Sequence, residues 1–242
     1  AFFWGRLAAH DPAAVEALIK PAQVMQFQPR ETLEGLLAHR ATYLAAYQDA
    51  AYASAYRDFV ERVRAAEAPL GKTALTEAVA RYLFKLMAYK DEYEVARLHS
   101  DPAFKAKIAG MFEGDIAIKY HLAPPLLSKR DREGHLIKRE FGSWVGKVFP
   151  LLASLRFLRG SLLDPFGHTE ERKGERALIV RYQQTIAGLL PSLSTENLAQ
   201  VVAVASIPED IRGYGHVKER HVLAATQKEA GILSALKVGA TG

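Results

Sequence analysis

The chain has 242 residues and 49% hydrophobic composition, enough apolar material for one large domain or two small ones. It has no cysteine, which excludes disulfides, thiolate metal sites, cysteine nucleophiles and any cysteine-held iron–sulfur cluster within the chain. The net charge of +5, from 32 basic and 27 acidic residues, is what a solvated surface carries, and it is also compatible with attraction of a nucleotide, nucleic acid or acidic partner. No apolar run approaches the roughly 18 residues that a membrane-spanning helix requires. The closest, residues 148–158 and 198–207, contain polar or basic side chains.

The opening segment, AFFWGRLAAHDP, lacks both an initiator Met and a basic region leading into an apolar stretch. A fragment or processed chain without a secretion signal is therefore expected. A short helix around Phe2 to Leu7 gives way to a stretch punctuated by Pro12, Pro21 and Pro29. From Glu31 to about Ala68, Leu33, Leu36, Leu37, Tyr43, Leu44, Tyr47, Tyr52, Tyr56, Phe59, Val60 and Val63 recur at helical spacing. This predicts one long helix, or two with a bend. The tyrosines at i,i+4 read as core packing with each phenol reaching a polar edge, not as a base-stacking platform.

Pro69 and Gly71 break the pattern, and Thr73 is placed to cap a helix running to about Leu98. Along that helix Val79, Tyr82, Leu86, Tyr89, Tyr93 and Ala96 form one buried stripe. Lys85, Lys90, Asp91, Glu92, Glu94 and Arg97 are spread over the remaining surface, with Lys90 and Glu94 as an i,i+4 pair. Asp101 and Pro102 open another short helix. Ile116, Ile118, Tyr120 and Leu122 then alternate with Ala117, Lys119 and His121, which predicts a strand. His135 to Phe141 is its expected antiparallel partner.

The remainder reads as helical over about 145–159, 170–190, 195–205 and 216–237, with Ser194 capping the third of these and Ser206 with Glu209 forming a capping box. The expected fold is a mainly α, multi-helix globular domain with a small antiparallel β insertion near residues 115–141.

Tested for chemistry, most motifs fail. Gly71-Lys72-Thr73 has the ending of a phosphate-binding loop, but the first glycine of that motif would fall at Ala66, inside a helix rather than after a strand. His216, Glu219 and His221 suggest a metal group, yet a five-residue helical step leaves the two imidazoles roughly 140° apart around the axis. No metal site and no catalytic residue is assigned.

Arg212, Gly213, Gly215, His216 and Lys218 are more promising, because two glycines turn the chain just before a long helix whose first amides and dipole face an incoming anion. The plainer alternative is that the glycines only end one turn and start the next helix. Lys129, Arg130, Arg132, Lys138 and Arg139 form the densest basic cluster, diluted by Asp131, Glu133 and Glu140. It suits a solvated hairpin tip, a phosphate contact or an acidic partner.

One stretch is more particular than amphipathicity demands. RYLFKLMAYKDEYEVARL, residues 81–98, resembles a helix in the C-terminal region of indolepyruvate ferredoxin oxidoreductases and related fused 2-oxoacid:ferredoxin oxidoreductases. YQDAAYASAY at 47–56, HLAPPLL at 121–127, KREFG at 138–142, LDPFGHTEER at 163–172 and IRGYGHVKER at 211–220 fit the same resemblance, in the same order.

The resemblance implies that residues 1–29 are the tail of a preceding γ-type catalytic domain and residues 30–242 a C-terminal helical domain. The enzymes of that family oxidatively decarboxylate aryl 2-oxoacids to acyl-CoA with thiamine diphosphate and iron–sulfur clusters, passing electrons to ferredoxin. Thiamine and clusters belong there to other domains or subunits, so the implied role is support of assembly or of the substrate site, in the cytoplasm, by a piece inactive on its own. The implied partners are the catalytic domains and, with the whole enzyme, ferredoxin. A sharper hypothesis is that the 212–218 turn binds an anionic group, such as a CoA phosphate. The alternative is a stand-alone helical module that binds nucleic acid or an acidic partner through its basic loop.

Overall fold

The computed structural model describes residues 2–18, 31–112, 114, 117–122 and 139–239. They form a mainly α fold with a small two-stranded antiparallel sheet, divided into two units at residues 32 and 33. In the first unit two short helices, α1 (Phe2–His10) and α2 (Pro12–Leu18), are separated by Asp11, whose side chain accepts the Ala14 amide at 3.0 Å.

The second unit begins with two helices, the second of the predicted alternatives, folded back on each other as a hairpin. α3 (Leu33–Tyr47) stops at Gln48, and Asp49 starts α4 (Ala50–Glu67) by accepting the Tyr52 amide at 2.7 Å. The salt bridge from Arg64 to Glu34, 2.6 Å, joins the end of α4 to the start of α3 and fixes them antiparallel. α5 (Ala74–Met87) returns along both.

α5 receives no cap from Thr73, whose hydroxyl donates to Glu77 instead. The carboxylate of Glu67, completely buried, accepts the amides of Leu75 and Thr76, both at 2.8 Å, and the Thr76 hydroxyl at 2.6 Å. A side chain from the preceding helix thus satisfies the orphan donors of this one and sits at the positive end of its dipole.

The stretch 81–98 is not one helix. It breaks at residues 88–91, and α6 (Glu92–Ser100) starts anew at Asp91, which accepts the Glu94 amide at 2.8 Å. Asp91 followed three residues on by Glu94 is the spacing of a helix start, and here it outweighs an i,i+4 pair worth roughly 0.2–0.5 kcal/mol. α7 (Pro102–Met111) opens at Asp101 as expected.

β1 (Tyr120–Leu122) pairs with β2 (Arg139–Phe141), Tyr120 facing Phe141; residues 117–119, expected in the first strand, lie outside it, and Ile116 and residues 135–138 lie outside the described residues. α8 (Val145–Ser154) runs into a 3-10 turn over Leu155–Leu158. α9 (Glu170–Leu189) follows as predicted, with Thr169 as its cap. α10 (Leu198–Ala205) begins three residues late: the Asn197 carbonyl oxygen of the side chain accepts the Ser194 amide, and Ser194 caps nothing. The Ser206–Glu209 capping box does not form, because the Ser206 hydroxyl donates to the Val202 carbonyl and Glu209 accepts from Tyr82. α11 (Gly215–Gly239) completes the fold.

The main core lies among α3, α4, α5, α9 and α10, around Leu44, Tyr56, Val60, Leu75, Val79, Leu83, Ile186 and Val204. Its tyrosines use their phenols inward: Tyr47 donates to the Tyr89 carbonyl (2.8 Å), Tyr52 to Met87 (3.0 Å) and Tyr56 to Ala80 (2.8 Å). One of those acceptors, the Met87 carbonyl, belongs to the last turn of α5, where the helix has no amide of its own to pair with it. A smaller core gathers Ala96, Tyr120, Val145, Phe149 and Ala153. Among the described residues no helix is long and apolar enough to cross a membrane.

Candidate functional site

The charged residues of the 81–98 stretch are not the solvated rim that their spacing suggests. Asp91 and Glu94 are buried, and each is matched. Asp91 receives a two-pronged ion pair from Arg159, Nε to Oδ2 at 2.5 Å and Nη2 to Oδ1 at 2.9 Å. The same guanidinium donates to the Tyr47 carbonyl at 2.5 Å and lies 3.7 Å above the Tyr47 ring. Burial works to lower the Arg159 pKa, but the bond from Asp91 and the neighbouring Tyr47 leave it raised.

Glu94 accepts both prongs of Arg97 at 2.8 Å and the phenol of Tyr43. Burial, then the Glu94 hydrogen bond, pushes the Tyr43 pKa up to about 12. Lys90 stays exposed and takes no part.

Asp164 closes this network from below the 3-10 turn. It accepts the Tyr93 phenol at 3.0 Å, the Gly160 amide at 2.8 Å and the Phe166 amide at 3.1 Å. Burial acts to raise its pKa, but these donors together hold it below the usual carboxylate value. A β-carbon at Gly167 would fall 2.4 Å from the Asp164 carboxylate, so the FGH turn needs glycine there. The bonds of this cluster run between α3, α6 and the segment of residues 159–166, which makes it a fastening between segments.

The five residues predicted to hold an anion are brought to the start of α11. Gly213 has φ +84°, and a side chain there would also strike Val217 at 2.8 Å. The Arg212 Nε donates to the Glu209 carbonyl at 3.3 Å, and His221 hydrogen-bonds the Arg212 backbone. Lys218 is drawn away from the helix start: its ammonium contacts both oxygens of buried Glu175 at 2.5 and 2.6 Å. The structure therefore groups Gly215 and Lys218 with carboxylates rather than with Arg212.

Those carboxylates belong to an open furrow of about 520 Å³ between α9 and α11, lined by Glu170, Glu171, Glu175 and Glu219 together with Leu178 and Leu223. Sequence reasoning missed it because its walls lie 44 or so residues apart in the chain and each wall alone reads as an ordinary helix face. Lys129, Arg130, Arg132 and Lys138 lie outside the described residues. Among the described residues no three His, Asp or Glu side chains converge on a metal-holding position.

A second surface feature also went unread. α8 leaves Trp144, Val148 and Leu151, at i, i+4 and i+7, exposed along one face, and the turns after it expose Phe157, Leu162 and Leu163, the last two by 92% and 78%. In the sequence this was the apolar run of residues 148–158, whose hydrophobicity reports burial somewhere without saying against what.

The class of protein defined by these features is a mainly α domain with a polar-fastened core, an apolar outer face and one acidic furrow. The chain belongs to DUF6537, a family of unknown function, whose match covers residues 33–230, nearly the whole second unit. No curated protein and no solved structure matches it.

Proposed function

We propose that this chain is the C-terminal, non-catalytic domain of an indolepyruvate-type 2-oxoacid:ferredoxin oxidoreductase of the cytoplasm, docking on the catalytic body and supporting its assembly. The resemblance of residues 47–56, 81–98, 163–172 and 211–220 supports the family. The observation that carries the docking role is the bare apolar face of Trp144, Val148 and Leu151 on α8. An apolar stripe left this exposed lowers free energy by being covered, at roughly 25 cal/mol per Å² removed from water. Thiamine diphosphate and the clusters would then be held by the partner domains, with ferredoxin meeting the whole enzyme. An anionic group such as a CoA phosphate reaching the 212–218 turn would meet Arg212 first, since Lys218 is neutralised by Glu175.

The test is reconstitution. The chain and a catalytic body of that enzyme class are mixed, and complex formation and indolepyruvate-dependent ferredoxin reduction are measured. Association that weakens on the order of tenfold with Leu151→Asp is expected, as for loss of a central apolar contact. Turnover by the isolated chain, or association indifferent to Leu151→Asp and Trp144→Ser together, overturns the reading.

A further inference from the structure

The furrow between α9 and α11 is built unlike the rest of this basic protein. Lys218 meets Glu175, Arg181 meets Glu229 at 2.8 Å and the Thr226 hydroxyl at 2.9 Å, and Thr185 meets Glu229 at 3.1 Å. Residue numbers rise together in these pairs, so the two helices run parallel. From Glu170 to Arg181 one wall extends about 16 Å, at 1.5 Å per residue.

Small residues, Gly174, Ala177, Gly215 and Thr226, line the gap, and neither Gly174 nor Gly215 has a neighbour within 4 Å of where a side chain would begin. Leu178 and Val222 form an apolar floor, and Leu223, 61% exposed, stands at its edge. Of the four carboxylates lining the furrow, Glu170 pairs with Lys173 and Glu175 with Lys218, while Arg181 is taken by Glu229. Glu171 and Glu219 are exposed and form no salt bridge among the described residues. The local balance is thus negative on a chain whose net charge is +5.

We infer that this furrow receives an amphipathic helix that has an apolar stripe flanked by Lys or Arg. The gap between two parallel helices is the groove into which the side-chain ridge of a third helix packs. The apolar stripe covers Leu178, Val222 and Leu223, while flanking cations meet Glu171 on one wall and Glu219 on the other. A small cation would leave Leu223 in water, and an anion would face uncompensated carboxylates. The charge complementarity selects the partner and speeds encounter, while the apolar floor supplies the burial. The site is independent of the docking face on α8 and of any oxidoreductase parent, so it stands or falls on the isolated chain.

The experiment measures binding of the full chain to a fluorescent synthetic helix with one Leu face and Lys flanks, and to its counterpart with Glu in place of Lys, by anisotropy. The Lys helix binds and the Glu helix does not. Affinity falls on the order of tenfold in E171K/E219K and in Leu223→Ser, and it weakens with salt in the wild type. The matched reversal E61K/E196K, at exposed carboxylates away from the furrow, leaves affinity within about twofold once long-range charge is screened by salt. Circular dichroism checks folding; should E171K/E219K not fold, E171Q/E219Q takes its place.

Equal losses in the furrow and control reversals reduce the effect to overall charge and overturn the proposal. So does wild-type affinity in Leu223→Ser, binding of the Glu helix, or no binding of the Lys helix at all.

Discussion

The two sides of the break at residues 88–91 are held together by different means. On one side α3, α4, α5, α9 and α10 bury a continuous apolar core in which even the tyrosines are sealed and donate to backbone carbonyls. On the other, α6, α8 and the small sheet share, among the described residues, a core of five buried side chains, much of it ring against ring around His99. That second region spends its remaining apolar side chains outward, on the α8 face. Polar fastenings join this region to its surroundings, among them Asp91–Arg159, Tyr93–Asp164 and Glu94–Tyr43. Charge buried at such a joint fixes where the smaller region sits, whereas the apolar packing of the larger one sets how stable it is.

The comparison is tested hardest at the joint. Arg159→Ala strands the buried Asp91 carboxylate, and a loss of about 3–5 kcal/mol in urea unfolding is expected. The loss should exceed that of Asp91→Leu/Arg159→Met, since removing both charges leaves neither unpaired; equal losses would show that the ion pair does not couple the two regions.

A smaller effect is expected from acid. His99 stacks on Phe149 and meets Phe104 and Tyr120 edge-on, and burial lowers its pKa below the ordinary 6.5. The neutral ring is favoured in the folded state, so its contribution is present above about pH 6.5 and is lost as the pH falls through the lowered folded value. The difference in thermal midpoint between pH 7.5 and pH 5 should therefore shrink in His99→Phe. An unchanged difference would mean that the aromatic box does not sense protonation.

The smallest effect belongs to the outer face. Leu151→Asp replaces an exposed side chain and should alter unfolding free energy by no more than about 0.5 kcal/mol. A cost of several times that would show Leu151 to be part of the small core and would remove the basis for a docking face.

Much of the fold was legible residue by residue. Asp101 before Pro102, the apolar periodicity of 170–190 and the turn at Gly213 all act locally, and each produces the element expected of it. The failures share a cause. The single helix through Leu98 followed from a stripe of apolar spacing, but Tyr89 lies in the break between α5 and α6 and Tyr93 in α6, and they remain buried by packing on different neighbours. Of the candidate site, Lys218 was expected beside an anion at the helix start, whereas in the fold its ammonium meets Glu175, 43 residues earlier.

By itself the sequence determined the helical class and the positions of most helices, because apolar periodicity operates within a few residues, whereas the caps expected at Thr73, Ser194 and Ser206 gave way to tertiary or competing contacts. Tertiary structure alone decided the fate of its charges. Asp91 and Arg159 are 68 residues apart, and nothing nearby in the chain distinguishes a carboxylate bound for water from one that will be buried against a guanidinium. The acidic furrow and the bare face of α8 were settled in the same way, by which helix surfaces were left over once the core had been filled.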